Sequence, residues 1–162
     1  MAALQPSRSP LGKEGKQMDV DVQGGCLCGA VRYQYRGRAA GALGAVTLCH
    51  CALCRRSGSY GIAVLPAERA GFTLLQGADA VVEYSATPGK VRAFCGRCGT
   101  PLYSSRDDKP DALRLRLGAL DAAPAGLRIE AHIHCAGVPD WAAPAEDGAA
   151  RYPGAAPAPP SA

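Results

Sequence analysis

Apolar and polar residues alternate along most of the chain between Met18 and Tyr152. Val31, Tyr33 and Tyr35 alternate with Arg32, Gln34 and Arg36, and Leu113, Leu115 and Leu117 alternate with Arg114 and Arg116. A period of two puts every second side chain on one face, so each run predicts a strand with one wet face. Leu127, Ile129, Ala131 and Ile133, set against Arg128, Glu130, His132 and His134, predict another. Shorter runs predict strands over Asp19–Gly24, Ala45–Leu48, Phe72–Leu75, Val81–Tyr84, Val91–Phe94 and Leu102–Ser104. Tyr60–Leu65 reads as a buried strand that stops at Pro66, because proline removes a ladder donor. Gly37–Gly44 reads as a loop, Thr87-Pro88-Gly89 as a turn, and Arg55–Ser59 as a single helical turn. Many short strands between glycine and proline turns, with almost no helical period, predict an all-β domain.

Residues 1–17 are polar and aperiodic, and residues 153–162 are rich in proline and alanine. Both read as disordered tails around a folded unit over 18–152. A length of 162 residues suits one domain. Hydrophobic content is 48% but aromatic content only 6%, which predicts a core of Ala, Val and Leu with little ring burial. Metal cross-links would then matter for stability.

No apolar run follows Met1, and none approaches membrane-spanning length, so neither a secretory signal nor a membrane span is expected. The expected compartment is reducing, namely the cytoplasm. There, closely spaced cysteines are metal ligands more often than disulfides. The formal charge of +4 is shared between the N-terminal tail and the body. With seven thiolates on two Zn²⁺, the body falls to about −1, which is no nucleic-acid footprint.

The cysteines fall into three groups. Cys26 and Cys28 lie in G-G-C-L-C-G, Cys49, Cys51 and Cys54 in L-C-H-C-A-L-C-R-R, and Cys95 and Cys98 in F-C-G-R-C-G. Two glycine-bracketed knuckles facing each other complete a four-thiolate site, so Cys26/Cys28 pairs best with Cys95/Cys98. The three-cysteine group is then left alone with an open fourth position, the arrangement in which zinc does chemistry. Thiolate-rich tetrahedral sites also suit iron, and a C-x-x-C can be a redox pair. Three clusters together favour metal, and zinc above iron. The open place could take water, substrate, His50 or Cys135. Alternation turns His50 away from the metal, and Cys135 alternatively reads as a small buried hydrophobe. Arg55 and Arg56 follow the cluster directly and are candidates for facing it or a substrate carboxylate. Trp141 reads as packed over the core.

The pattern G-G-C-x-C-G-A-V-R-Y, then C-H-C-x-x-C-R, then F-C-G-R-C-G-T-P-L-Y resembles the glutathione-dependent formaldehyde-activating enzyme family, which centromere protein V also resembles. The likeness runs over about residues 20–152 and includes His132-Ile133-His134 and Pro139-Asp140-Trp141. It implies a β-tent fold with two Zn²⁺ per chain. Cys26, Cys28, Cys95 and Cys98 would hold a structural zinc, and Cys49, Cys51 and Cys54 a catalytic one. It further implies a carbon–sulfur lyase that condenses glutathione with formaldehyde to S-hydroxymethylglutathione. The alternative is a non-catalytic, zinc-stabilised module that binds other proteins.

Overall fold

The alternating runs find partners and build a mostly antiparallel sheet of 11 strands in the computed structural model, which describes residues 17–41 and 44–157. β1 (Met18–Gly25) and β2 (Arg32–Ala39) form a hairpin in unbroken register from Met18↔Ala39 to Gly25↔Arg32. β3 (Thr47–Cys49) and β4 (Ile62–Glu68) flank α1 (Ala52–Gly58). β5 (Phe72–Gln76) pairs with β2. β6 (Val81–Thr87), β7 (Lys90–Cys95), β8 (Pro101–Arg106) and β9 (Lys109–Arg116) run as an antiparallel meander that joins β4 through β9. β10 (Ala131–Ile133) lies parallel both to β3 and to β11 (Ala150–Arg151). The protein is therefore all-β, as the alternation predicts, and the cysteine groups sit where strands end.

Two larger apolar clusters hold the sheet, and a small third one of Cys54, Ile62 and Val64 lies at the second cysteine group. Of the larger two, Val20, Val22, Tyr35, Val46, Leu65, Leu113 and Leu115 form one, and Val31, Tyr33, Ala80, Cys95 and Leu102 form the other. Rings carry more of this burial than composition suggests. Tyr33 and Tyr35 are fully buried, and Phe72 stacks against both Tyr33 and Tyr103 at 5.2 Å between centroids. The two tyrosines keep their hydroxyls satisfied inside. Tyr35 donates to the Arg38 carbonyl and accepts from the Glu68 N–H at 3.0 Å.

The structure departs from the sequence reading at several elements. β4 does not stop at Pro66. It continues to Glu68, because β3 pairs with it only as far as Val64. The Pro66 carbonyl accepts from the Ala40 N–H, so the missing donor of Pro66 also points away from β9, where no β3 ladder remains to need it. The strand expected over Leu127–Ile133 shrinks to Ala131–Ile133, since its partner β3 begins only at Thr47. Leu127 and Ile129 still pack on the first cluster. The helix is longer than one turn and includes Cys54. Ala39 and Ala40, expected in a loop, are core residues. Trp141 is 71% exposed and does not cover the core. Of the expected tails, residues 1–16 and 158–162 lie outside the described residues, as do 42 and 43 of the expected loop. Pro153 and Gly154, also assigned to a tail, accept backbone hydrogen bonds from Ala136 and His134.

Candidate metal centres

Cys26 and Cys28 occupy the tight turn between β1 and β2. The Cys26 N–H donates to the Val31 carbonyl, the Gly29 N–H donates back to Cys26, and Gly29 takes a left-handed φ of 74°. Cys95 ends β7, and Cys98 lies in the turn before β8, where Gly99 has a φ of 78°. The two turns meet, with the Leu27 N–H donating to Thr100 Oγ1 at 3.0 Å. As a result the four sulfurs lie within 4.8 Å of one another, with Cys28 3.5 Å from Cys26 and 3.9 Å from Cys95. Cys95 is fully buried and Cys26 nearly so, whereas Leu27 at the turn tip is exposed. The Thr100 hydroxyl and nearby N–H groups hold the Cys98 thiol down at about 5, and at Cys28 the downward pull of the Ala30 N–H is outweighed by the Cys26 and Cys98 thiols, which push it up to about 11. All four are free cysteines converging on one point, a donor set that fits a tetrahedral thiophilic metal such as zinc.

The second group is built from a strand end and a helix start. Cys49 closes β3, Cys51 caps α1, and Cys54 lies in the first turn of the helix. Spacing of i, i+3 brings Cys51 and Cys54 to one side of that turn. The Cys54 N–H donates to Cys51 Sγ at 3.5 Å. The three sulfurs lie within 4.8 Å of one another, and among the described residues no fourth His, Cys, Asp or Glu joins them. A hydrogen bond from Cys54 holds the Cys49 thiol down at about 5 against the opposing effect of burial, and the same bond pushes Cys54 up. The three sulfurs are a donor set that fits a metal that takes thiolates.

His50 and Cys135, the protein's candidates for the fourth place, both stay outside this group. Cys135 is half-buried, and its N–H donates to the Tyr152 carbonyl. His50 is buried and turned into the protein. Its Nε2 lies 2.9 Å from His132 Nδ1, and its ring meets Tyr60 edge-on at 5.4 Å. His132 is buried as well, and its Nε2 lies 3.1 Å from Asp147. Sequence reasoning left out His132 and Asp147, because 82 residues separate His132 from His50 and only the parallel pairing of β10 with β3 joins them. The dipeptide spacing of His132 and His134 gave no sign that one turns inward. Arg55 and Arg56 both fall in the last turn of α1, but they part ways: Arg56 is exposed, and Arg55 buries an Nε that has no partner among the described residues.

A family model described as "Glutathione-dependent formaldehyde-activating enzyme" matches residues 21–137, which include all seven clustered cysteines. A curated relative from Halomonas elongata, named provisionally as a glutathione-dependent formaldehyde-activating enzyme, is 27% identical over 127 residues, covering 74% of this chain and 78% of its own. A crystal structure of a Rhodobacter sphaeroides protein shares the fold with a TM-score of 0.53 at 22% identity, over 64% of this chain and 91% of its own. No helix among the described residues is long and apolar enough to cross a membrane.

Proposed function

We propose that this chain, which belongs to the glutathione-dependent formaldehyde-activating enzyme family, condenses glutathione with formaldehyde to S-hydroxymethylglutathione, a carbon–sulfur lyase reaction run in the synthetic direction. In this reading Cys26, Cys28, Cys95 and Cys98 hold a structural zinc and Cys49, Cys51 and Cys54 hold a catalytic one. The observation that carries it is the contrast between the two groups: four sulfurs converge in one and only three in the other. A closed set of four suits structure, and a set of three leaves room for a substrate atom. Zinc, when bound to the three thiolates, supplies Lewis acidity that lowers the pKa of a thiol and fixes it near the aldehyde carbon.

The chain's own residues set the surroundings of that thiol. Asp147 is held ionised by the Ala149 N–H and by His132, so it accepts the proton of His132 Nε2. His132 Nδ1 is then the acceptor for His50 Nε2–H, and His50 Nδ1 keeps its lone pair. This nitrogen is buried and has no donor among the described residues. The chain of hydrogen bonds fixes the ring between two metal-binding cysteines and, with it, the backbone that presents Cys49 and Cys51. In this reading Arg55, next to Cys54 in sequence, offsets the negative charge of a trithiolate centre, and the exposed Arg56 meets a substrate carboxylate from the solvent side.

Metal analysis of the purified chain and titration with glutathione test the proposal. Two zincs per chain, a glutathione-dependent change at the second site, and formaldehyde consumption above the uncatalysed rate are expected. One zinc, or two with no response to a thiol, would return the protein to the class of zinc-stabilised binding modules.

A further inference from the structure

One face of the sheet beside the second cysteine group carries an unbalanced set of cations. Register defines it. Cys49 pairs with Ile62, Thr47 with Val64, and Val64 in turn with Arg116 on β9. One step further along, Pro66, Arg114, Ser104 and Arg92 form a single cross-strand row over β4, β9, β8 and β7. Directly opposite residues share a face, so Arg92, Arg114 and Arg116 lie on the same side as Cys49, with Lys90 two residues before Arg92. The other side of β9 presents Leu113 and Leu115 to the core.

These cations have no acidic counterpart. Among the described residues, none of Lys90, Arg92, Arg114 and Arg116 takes part in an ion pair. Arg116 is only 8% exposed, and its Nε is buried without a partner, as is Nη1 of Arg92. The acids beside the row are already engaged, Asp108 by Arg106 at 2.8 Å and Glu68, two residues beyond Pro66 on β4, by Arg38. Like charges on neighbouring strands repel, and a buried guanidinium without acceptors costs free energy. Burial lowers the affinity of Lys90, Arg114 and Arg116 for their protons, while the thiols of Cys54 and Cys49 oppose this at Lys90 and Arg116, which places those two within electrostatic reach of the cluster. A cavity of about 290 Å³ opens on this face, lined by Pro66, Lys90, Ser104, Arg106, Asp108 and Arg114 among others.

The geometry points to this face as the carboxylate-binding floor of the substrate site, selecting a thiol that carries more than one negative charge. The assignment rests on the reading that a substrate sulfur reaches Cys49, Cys51 and Cys54. Strand spacing puts the Arg116 backbone about 12 Å from that of Cys49. The sulfur sits on the middle residue of a tripeptide, so each end reaches about 5 Å from it, and the long side chains of Arg116 and of Arg114, about 16 Å away by the same spacing, close the remaining gap. Arg114, opposite Ser104, can fork onto a carboxylate, which a lysine would not do in the same way, and Arg92 on the far side of Ser104 adds positive charge to the floor. A neutral small thiol would use none of this face.

The test uses the full chain with its bound metal, and two ligands without a free thiol: S-methylglutathione and its dimethyl ester. Calorimetry is expected to show the acid binding at least tenfold more tightly than the ester. Arg114→Gln and Lys90→Gln should each weaken the acid about tenfold and leave the ester unchanged. Arg116 is left in place because it is buried, and thermal melts confirm that the two variants fold. Equal binding of acid and ester, or variants that bind the acid as the parent does, overturns the proposal. The visible spectrum of the Co²⁺-substituted protein with glutathione tests the thiol step separately. If that spectrum does not respond while charge-dependent binding of S-methylglutathione persists, thiol ligation fails and the basic floor stands.

Discussion

Replacing Cys95 with serine should destabilise the protein far more than replacing Cys51, and the difference follows from how much chain each group ties together. A metal held by the first group would link Cys95 to Cys28, 67 residues away. The second group spans only the short segment from Cys49 to Cys54. A metal clip restricts the unfolded chain as a disulfide does, by an amount that grows with the logarithm of the loop. For loops of these lengths the closure entropy is worth about 4 kcal/mol and about 2 kcal/mol respectively. Set against a total stability of about 5–15 kcal/mol, the first is a large part of the whole. Cys95 is also fully buried in the second apolar cluster, so a serine there strands a hydroxyl as well as losing a ligand. In a chain of this size, Cys95→Ser should lower the melting temperature by about 12 °C or more and Cys51→Ser by about 6 °C. Thermal denaturation followed by circular dichroism, with metal content measured on each variant, reads both effects. Cys51→Ser should lose one metal and keep the fold. Equal destabilisation by the two substitutions would refute the division into a structural and a catalytic centre.

Two further substitutions probe the frame. Gly77→Ala should cost more than about 2 kcal/mol in a urea melt, because φ is +78° and the new Cβ would meet the backbone oxygen of Ala30 at 2.0 Å, just behind the first cysteine turn; Gly126→Ala, with a similar φ and open space, should cost only about 1 kcal/mol. Asp147→Asn tests the hydrogen-bonded chain through pH. The carboxyl of Asp147 is held below its ordinary value, so its stabilisation is fully present above about pH 4 and is lost as the pH falls through the lowered value; the melting-temperature gap between parent and variant should close on acidification, and a constant gap would count against the assignment.

The strands were legible in the sequence because most are wet on one face. Tyr33 and Tyr35 in β2, and Leu113 and Leu115 in β9, alternate with polar residues and point inward as their period demands. Pro66 misled because the rule against proline concerns a missing donor, and whether that donor is needed depends on where a neighbouring strand ends. Leu127 and Ile129 alternate correctly and are partly buried, yet they have no ladder partner, and periodicity reports burial rather than pairing. The cysteine groups were legible because their spacings are local and their glycines mark the turns. The buried histidine pair was not, because nothing within ten residues of His132 indicates that it will meet His50. The basic face was equally hidden. Arg114 and Arg116 look like the wet side of a strand until cross-strand register sets them opposite Ser104 and Val64 and against Arg92.

The parallel docking of β10 on β3 has a consequence for the order in which this protein is assembled. Cys49, Cys51 and Cys54 are complete as a ligand set once the chain has been made as far as Cys54, and their contacts are local. The histidine and aspartate that brace them arrive only with Ala131–Arg151, His132 coming 82 residues after His50, through a strand that must find its place without a hairpin to guide it. Non-local parallel pairing is slow compared with local contact formation. Ribosome-bound chains that stop short of β10 should therefore be able to take up metal at the second centre while His50 is still unrestrained, so that metallation precedes, and is separable from, the final shaping of the site.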